Sequence, residues 1–183
     1  MPKASQGWTL VEAMVVVAIV AIMAAWAVPS FVGVVQQARL SATTHEFVSA
    51  IALTRSEAIK RNARVVMCVA DGDAACSTTG QWHQGWLVFE DSNRNGLRDQ
   101  DEVVIRWQAA LSAQLVVKGN STVSRYIAYR GDGQSHLLLG GFQAGTITIC
   151  HRSSSDADGR SVILNAVGRA RVSITKSTSP CTG

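Results

Sequence analysis

Hydrophobic residues follow three successive patterns along the 183-residue chain. Residues 8–28 are almost continuously apolar, and Glu12 is the one charged residue among them. Residues 29–62 alternate apolar and charged positions at the spacing of an amphipathic helix. From residue 63 onward the period changes to two, which is typical of strands. The patterns therefore predict a long N-terminal helix followed by a strand-rich head, residues 63–183.

The first two patterns predict one helix from about Trp8 to Asn62. At about 1.5 Å per residue, the apolar run would extend roughly 31 Å, the thickness of a bilayer's hydrocarbon core. This length favours a membrane-spanning first half, which Pro29 is expected to end or kink. The second half should pack on the head through apolar residues at helical spacing, namely Val48, Ile51, Ala52 and Ile59.

Eight segments of the head are typical of strands because they are rich in β-branched residues and are separated by Gly, Asn, Asp and Ser. In chain order they are RVVMCV, GWLVFE, VVIRWQ, AQLVVK, RYIAYR, GTITICH, RSVILN and RARVSI. A helix followed by consecutive short strands is an α+β arrangement, in which the helix covers one face of a sheet.

The flanks of the apolar run distinguish between kinds of N-terminal segment. A secretory signal peptide has a shorter apolar region followed by a small-residue cleavage site. Here the small residue, Gly7, precedes the apolar run, and the run continues into a polar helix. Lys3, the one charged side chain before Trp8, favours a cytoplasmic N-terminus.

The stretch GWTLVEAM, residues 7–14, resembles the type III signal of type IV pilins and pseudopilins, whose pattern is G-F-T-L-[IV]-E before a long apolar run. Trp8 stands where Phe is usual, and Ala13 replaces a larger aliphatic residue. The resemblance implies a leader, residues 1–7, that a prepilin peptidase removes after Gly7, and N-methylation of Trp8. It also implies single-pass insertion in the inner membrane through residues 8–28, with the head in the periplasm and later on the pilus or pseudopilus.

Glu12 has a physical role in this interpretation. A carboxylate within lipid costs at least a few kcal/mol and needs a partner. Cleavage after Gly7 would create an ammonium at Trp8, four residues away and on the same helical face. The resemblance implies that Glu12 docks onto the amine of a neighbouring subunit. The alternative is a carboxylate that reaches the membrane interface.

Two segments narrow the resemblance to the GspH/FimT family of minor pilins and pseudopilins. RSEAIKRN ends the predicted helix, and GWLVFEDSNRNG lies in the head. The likeness covers nearly the whole chain and implies other pilins as partners.

Four cysteines allow three disulfide pairings, and a periplasmic head would be oxidised. Cys68 and Cys76 bracket a short polar loop, Cys150 ends a predicted strand, and Cys181 lies near the C-terminus. We predict the pairs 68–76 and 150–181. Zinc is the alternative, but no C-x-x-C motif supports it.

The segment DSNRNGLRDQDE, residues 91–102, matches the calcium-loop pattern D-x-[DN]-x-[DN]-G-x5-E. Strands flank it instead of helices, so a hairpin connection without an ion is favoured and a weak calcium site is the alternative. No other cofactor is predicted. The oxygen ligands would come from Asp91, Asn93, Asn95, Asp99 and Glu102.

The C-terminal stretch contains no acid after Asp158 although it is rich in basic residues. In GRAR, residues 168–171, two arginines two apart would share one face of a strand and suit successive phosphates. This Gly-Arg-x-Arg element resembles the one associated with DNA binding in the FimT branch, which serves DNA uptake in natural transformation. The resemblance makes Arg169 and Arg171 the central contacts, with Lys176, Arg160 and Arg152 as neighbours. A solvated strand face is the alternative.

No catalytic motif emerges, since the four histidines are scattered and no P-loop or nucleophile motif is present. A net charge of +4 permits an acidic partner without requiring one. The sequence therefore predicts a non-enzymatic minor pilin that binds DNA. The alternative is a structural subunit without DNA binding, which primes pilus assembly or serves type II secretion as an H-type pseudopilin.

Overall fold

The computed structural model describes residues 9–73, 75–152 and 158–176. Within these ranges, the side chains of residues 25–30, 158 and 176 are not described. The leader, the predicted cleavage site at Gly7 and Trp8, and Cys181 lie outside the described residues. By its internal contacts the chain divides into two compact units, with the boundary in the sequence between Arg39 and Leu40.

Helix α1 (Leu10–Arg61) is uninterrupted, which confirms the predicted helix. Pro29 lies within it and does not end it. At its C-terminus, Asn62 adopts a left-handed φ of +48°. The amide of Ala63 then donates to the carbonyl of Ala58 at 3.2 Å, a bond that closes the last turn.

The N-terminal part of α1 exposes its apolar residues. All described side chains of residues 10–24 are exposed, including Glu12. The amide of Glu12 donates to the hydroxyl of Thr9 at 3.3 Å, a local contact at the start of the helix. Within the residues that the structure describes, no helical stretch reaches the length and hydropathy that crossing a membrane requires.

The C-terminal part of α1 packs on the head through a face that matches the prediction at Ile51 and at Val48, which is partly buried against the core, but not at the other two positions. Phe47, Ile51 and Ala58 are buried, whereas Ala52 is exposed and Ile59 is 51% exposed. At about 100° per residue, the buried residues lie within a narrow sector around Phe47, and Ala52 and Ile59 lie well outside it. The spacing identified the helix, but it did not identify the centre of the buried face.

The head consists of two antiparallel sheets that the C-terminal part of α1 covers. Their strands are β1 (Val65–Asp71), β2 (Ala75–Cys76), β3 (Trp86–Glu90), β4 (Val104–Gln108), β5 (Leu115–Gly119), β6 (Tyr126–Tyr129), β7 (Gly145–His151), β8 (Asp158–Leu164) and β9 (Ala170–Lys176). The first sheet has the order β2-β1-β3-β4, and β6 also pairs with β1. The second has the order β5-β7-β8-β9. All eight predicted strands and the α+β class are confirmed, and the two-residue β2 is the addition.

An aromatic cluster joins α1 to the sheets. The ring of Phe47 meets those of Trp82 and Trp86 edge to face, each with centroids 5.3 Å apart. The indole nitrogen of Trp82 donates to the carbonyl of Val123 at 2.8 Å, so its polar atom is satisfied inside the core. These contacts hold the C-terminal part of α1 against β3 and the segment that precedes it.

Cys68 and Cys76 form a disulfide bond, as predicted, with their Cα atoms 5.7 Å apart. The bond ties β1 to the short strand β2. Cys150 is also disulfide-bonded, and its predicted partner, Cys181, lies outside the described residues.

Candidate nucleic-acid interface

The GRAR element lies where the β8–β9 hairpin turns at the edge of the second sheet. The turn is closed by three hydrogen bonds around Asn165. Its amide donates to the Arg169 carbonyl at 3.0 Å, and its own carbonyl accepts the Gly168 amide at 2.9 Å. Its side-chain oxygen accepts the Arg169 amide at 2.8 Å. The backbone on both sides of the first arginine is therefore fixed.

Gly168 occupies a position of this turn that suits glycine alone. Its φ is +78°, a left-handed value that costs little only for glycine. A Cβ atom at this position would lie 2.7 Å from the Tyr129 ring and 2.8 Å from the Gly133 carbonyl oxygen. The glycine of the motif thus lets the hairpin approach β6 closely.

Two donors hold the Gly168 carbonyl in place. The hydroxyl of Tyr129 donates to it at 2.8 Å, and Nη1 of Arg55 on α1 donates at 3.4 Å. Burial raises the pKa of Tyr129 well above its ordinary range, so the hydroxyl remains a donor at physiological pH. The hairpin is therefore anchored to both the first sheet and the helix.

Arg169 and Arg171 are exposed on this anchored hairpin. Arg171 pairs with Ile163 and shares its face, whereas the neighbouring pair Val162–Val172 lies on the core side. Among the described residues, neither guanidinium has a carboxylate within 4.0 Å, and the four ion pairs that form there use other residues. Both charges are available to an anion.

The structure does not bring the other three predicted contacts to this turn. Arg160 pairs with Ile149 and Ile174, which places it on the core-side face, opposite to Arg171. Arg152 follows β7 at the far end of the sheet, roughly 20 Å along the strands from the turn. Lys176 is the last residue of β9, also at the far end, and its side chain is not described.

Sequence reasoning missed two further cations, one beside the hairpin and one on β5, at the opposite edge of the second sheet. Arg55 lies beside Arg169 in a cleft between α1 and the hairpin. Lys118 on β5 is exposed on the same outward face as Arg171, in register with Thr148, Ser161 and Ser173 across the sheet. The alternation within β5 could have placed Lys118 on a face, but the strand order that puts this face on the same side of the sheet as Arg171 is not readable from the sequence.

The calcium-like segment forms the connection of the β3–β4 hairpin. Here Asp91 accepts the amides of Asn95 and Gly96, and Glu102 accepts those of Ser92 and Asp99. The carboxylate of Asp99 accepts the side-chain amides of Asn93 and Asn95, at 2.7 and 2.9 Å. The side-chain oxygens thus stabilise the loop themselves.

The electrostatics of this loop centre on two buried carboxylates, Asp91 and Glu102. Burial raises the pKa of Asp91, with a smaller contribution from the charge of Glu102, and the Gly96 amide opposes the shift. Across the described residues, no group of three or more His, Cys, Asp or Glu side chains is arranged to hold a metal ion. The hairpin connection is confirmed, and the weak calcium site stays the alternative interpretation.

A long N-terminal helix packed on an antiparallel β head defines the class of protein as pilin-like. Solved structures of two proteins share this fold. The type IV minor pilin FimU of Pseudomonas aeruginosa is 18% identical with a TM-score of 0.58, covering 78% of this chain and 97% of that one. The minor pseudopilin EpsH of the Vibrio cholerae type 2 secretion system is 11% identical with a TM-score of 0.51, covering 74% and 97%.

Sequence models of protein families identify the family to which this chain belongs. The model of the type II transport protein GspH matches residues 43–168, and a prokaryotic N-terminal methylation motif matches residues 2–28. The chain therefore belongs to the GspH family, which confirms the resemblance that its motifs indicated. A search of curated protein sequences gave no significant match.

Proposed function

We propose that this minor pilin binds DNA through the β8–β9 hairpin and serves DNA uptake in natural transformation. The observation that carries the proposal is the pair of exposed arginines, Arg169 and Arg171, on a turn held by Tyr129 and Arg55. A fixed backbone spares the ligand the entropic cost of ordering the loop.

The chemistry favours phosphate contact over base readout. Guanidinium groups bind phosphate oxygens through paired N–H donors, and such contacts position a protein on DNA without reading its sequence. The outward face adds the exposed hydroxyl of Ser173, two residues from Arg171, and hydroxyls also donate to phosphates. No aromatic residue occurs in 158–176, so stacking on single-stranded bases is not favoured and duplex backbone contact is.

We also propose that residues 8–28 anchor the subunit in the inner membrane after a prepilin peptidase cleaves behind Gly7. The match of the methylation motif to residues 2–28 supports this. Glu12, near the start of α1, would then pair with the ammonium of a neighbouring subunit in the filament. Mass spectrometry of protein purified from cells tests the proposal: an N-methylated Trp8 terminus is expected, and an intact Met1 terminus would rule it out.

A gel-shift assay tests DNA binding. Full-length protein in detergent is titrated against a duplex of about 30 base pairs at roughly 50 mM salt, where backbone contacts are strong. Arg169→Ala with Arg171→Ala should weaken binding at least tenfold. The charge-matched control is Arg106→Ala with Arg125→Ala, which removes two exposed arginines outside the hairpin. Equal binding by the two double variants would refute the hairpin as the site.

A structural role in assembly is the second candidate, and the match to a family described as type II transport supports it. It needs α1, Glu12 and protein contacts on the head, but neither DNA nor catalysis. A deletion strain distinguishes the two. Loss of transformation alone indicates DNA capture, while loss of both transformation and twitching motility indicates assembly.

A further inference from the structure

A basic pocket of about 460 Å³ lies where α1 ends, and residues 130–132 form part of its wall. Asn62 and Arg64 line it after the helix, Arg94 comes from the β3–β4 connection, and Arg130 follows β6. We call it the Arg64 pocket. Three separate segments of the chain therefore bring guanidinium groups to one concavity.

The pocket carries an excess of positive charge. Asp132 is the one carboxylate among its lining residues, and it reaches Nε of Arg130 only at 4.0 Å, with both side chains about half exposed. Asp91 lies near enough to Arg64 for the guanidinium charge to oppose the rise that burial causes in its pKa, but its two oxygens already accept loop amides. An anion that enters the pocket would therefore face little competition from carboxylates of the protein for the guanidinium groups.

Arg64 has an unused donor. Its Nη1 atom is buried and has no hydrogen-bond partner among the described residues. Buried polar groups in folded proteins are almost always paired, so an unpaired guanidinium nitrogen at a pocket wall calls for an acceptor. A carboxylate suits a guanidinium fork because it can accept two parallel N–H bonds.

Apolar residues form the rim of the pocket. Leu137 and Leu138 line it, and the same loop leaves Leu139 fully exposed and Phe142 62% exposed. The loop is held in shape: Leu138 lies against the backbone of Gly96, and the Phe142 ring contacts the His136 ring at a tilt of 43°, with centroids 5.7 Å apart. Exposed Leu and Phe beside a cluster of arginines form an amphipathic surface, the kind that marks protein interfaces.

We propose that the Arg64 pocket docks an acidic, partly apolar segment of another protein subunit. A carboxylate of that segment binds Arg64 and Arg130, and an apolar side chain covers Leu139 and Phe142. The DNA backbone offers phosphates but no apolar side chain, so it would leave this rim in water. The inference does not depend on DNA binding at the β8–β9 hairpin.

A peptide-binding experiment tests the docking site. The probe is a fluorescent peptide of alternating Glu and Leu, and its matched control replaces each Glu by Gln. Full-length protein in detergent should bind the acidic peptide and should bind the neutral one at least tenfold more weakly. Arg64→Gln with Arg130→Gln should reduce affinity for the acidic peptide at least tenfold, while Arg106→Gln should leave it unchanged. Arg130→Gln alone, at a half-exposed position, keeps the test valid if the double variant does not fold.

Leu139→Ser should also weaken binding of the acidic peptide, because it removes the apolar contact alone. DNA affinity measured on the same variants should stay at the level of the unmodified protein. The proposal is overturned if the acidic peptide does not bind, if the neutral peptide binds equally, or if the arginine variants bind normally. A parallel loss of DNA affinity in Arg64→Gln with Arg130→Gln would also overturn it and would assign the pocket to the DNA surface.

Discussion

The hydroxyl of Tyr129 donates a 2.8 Å hydrogen bond to the backbone carbonyl of Gly168. Tyr129 ends β6 of the first sheet, whereas Gly168 lies in the turn before β9 of the second. This one contact therefore couples the core of the head to the loop that displays the two arginines. It explains why a position far from the hairpin in sequence determines the hairpin's geometry.

We predict that Gly168→Ala destabilises the protein by about 2 kcal/mol or more, since it combines an unfavourable positive φ with a steric clash. Gly72→Ala is the matched control, with a similar φ of +71° and open space around the Cβ position. Chemical denaturation of the two variants separates strain from clash. Equal decreases in unfolding free energy would show that the hairpin does not need its close approach to Tyr129.

The Tyr129 hydroxyl should contribute about 1 kcal/mol to the free energy of unfolding, the usual net value of a buried hydrogen bond. Tyr129→Phe should lose this contribution at neutral pH. Because the folded pKa is raised, the folded state holds this proton more tightly than the unfolded state. The contribution is present below the unfolded tyrosine pKa, about 10, and declines as pH rises above it. Between pH 8 and pH 11 the unfolding free energy should fall less in Tyr129→Phe than in the unmodified protein. An identical fall in both proteins would contradict a buried, hydrogen-bonded Tyr129 hydroxyl.

His83 should make stability sensitive to mild acid. Burial, followed by the nearby charge of Arg152, lowers the pKa of His83 below its usual value of 6.5. The unfolded chain therefore binds this proton first, and stability is lost as pH falls from about 6.5 toward the folded pKa. His83→Gln should reduce the difference in unfolding free energy between pH 7.5 and pH 5. Arg152→Gln should reduce it by less, because burial is the larger cause, and no change in either variant would disprove the linkage.

The disulfide between Cys68 and Cys76 should stabilise the head by restricting the unfolded chain. For a loop with a sequence separation of 8, the chain-entropy relation gives about 2–3 kcal/mol. Cys68→Ala with Cys76→Ala should lower the unfolding free energy by this amount in urea without affecting the bond of Cys150. A decrease below about 0.5 kcal/mol would mean that the β1–β2 connection is ordered in the unfolded state.

Local patterns were sufficient to predict the elements of the fold. Alternation located the strands that include β7 and β9, and the long helical pattern located α1, because these signals depend on neighbours in sequence. The prediction that Ile59 belongs to the buried face of α1 was wrong, because that face depends on which sector of the helix the sheets cover. Arg169 and Arg171 were found through their motif.

Long-range pairing explains what sequence reasoning missed. Arg160 and Arg171 are separated by the plane of the sheet, a fact fixed by the β8–β9 register and not by their spacing in the chain. Arg55 reaches the hairpin from α1, 113 residues earlier than Gly168, and no local signal connects them. The same holds for the Arg64 pocket, which three separated segments create.

The salt dependence of DNA affinity measures the role of the hairpin arginines. For each phosphate that the protein no longer neutralises, the slope of log K against log salt should become shallower by about 0.9. Arg171→Ala should therefore make the slope less negative by about 0.9, and Arg169→Ala with Arg171→Ala should make it less negative by about 1.8. Arg106→Ala should leave the slope unchanged. Slopes for the hairpin variants that equal the slope of the unmodified protein would contradict DNA binding at this turn.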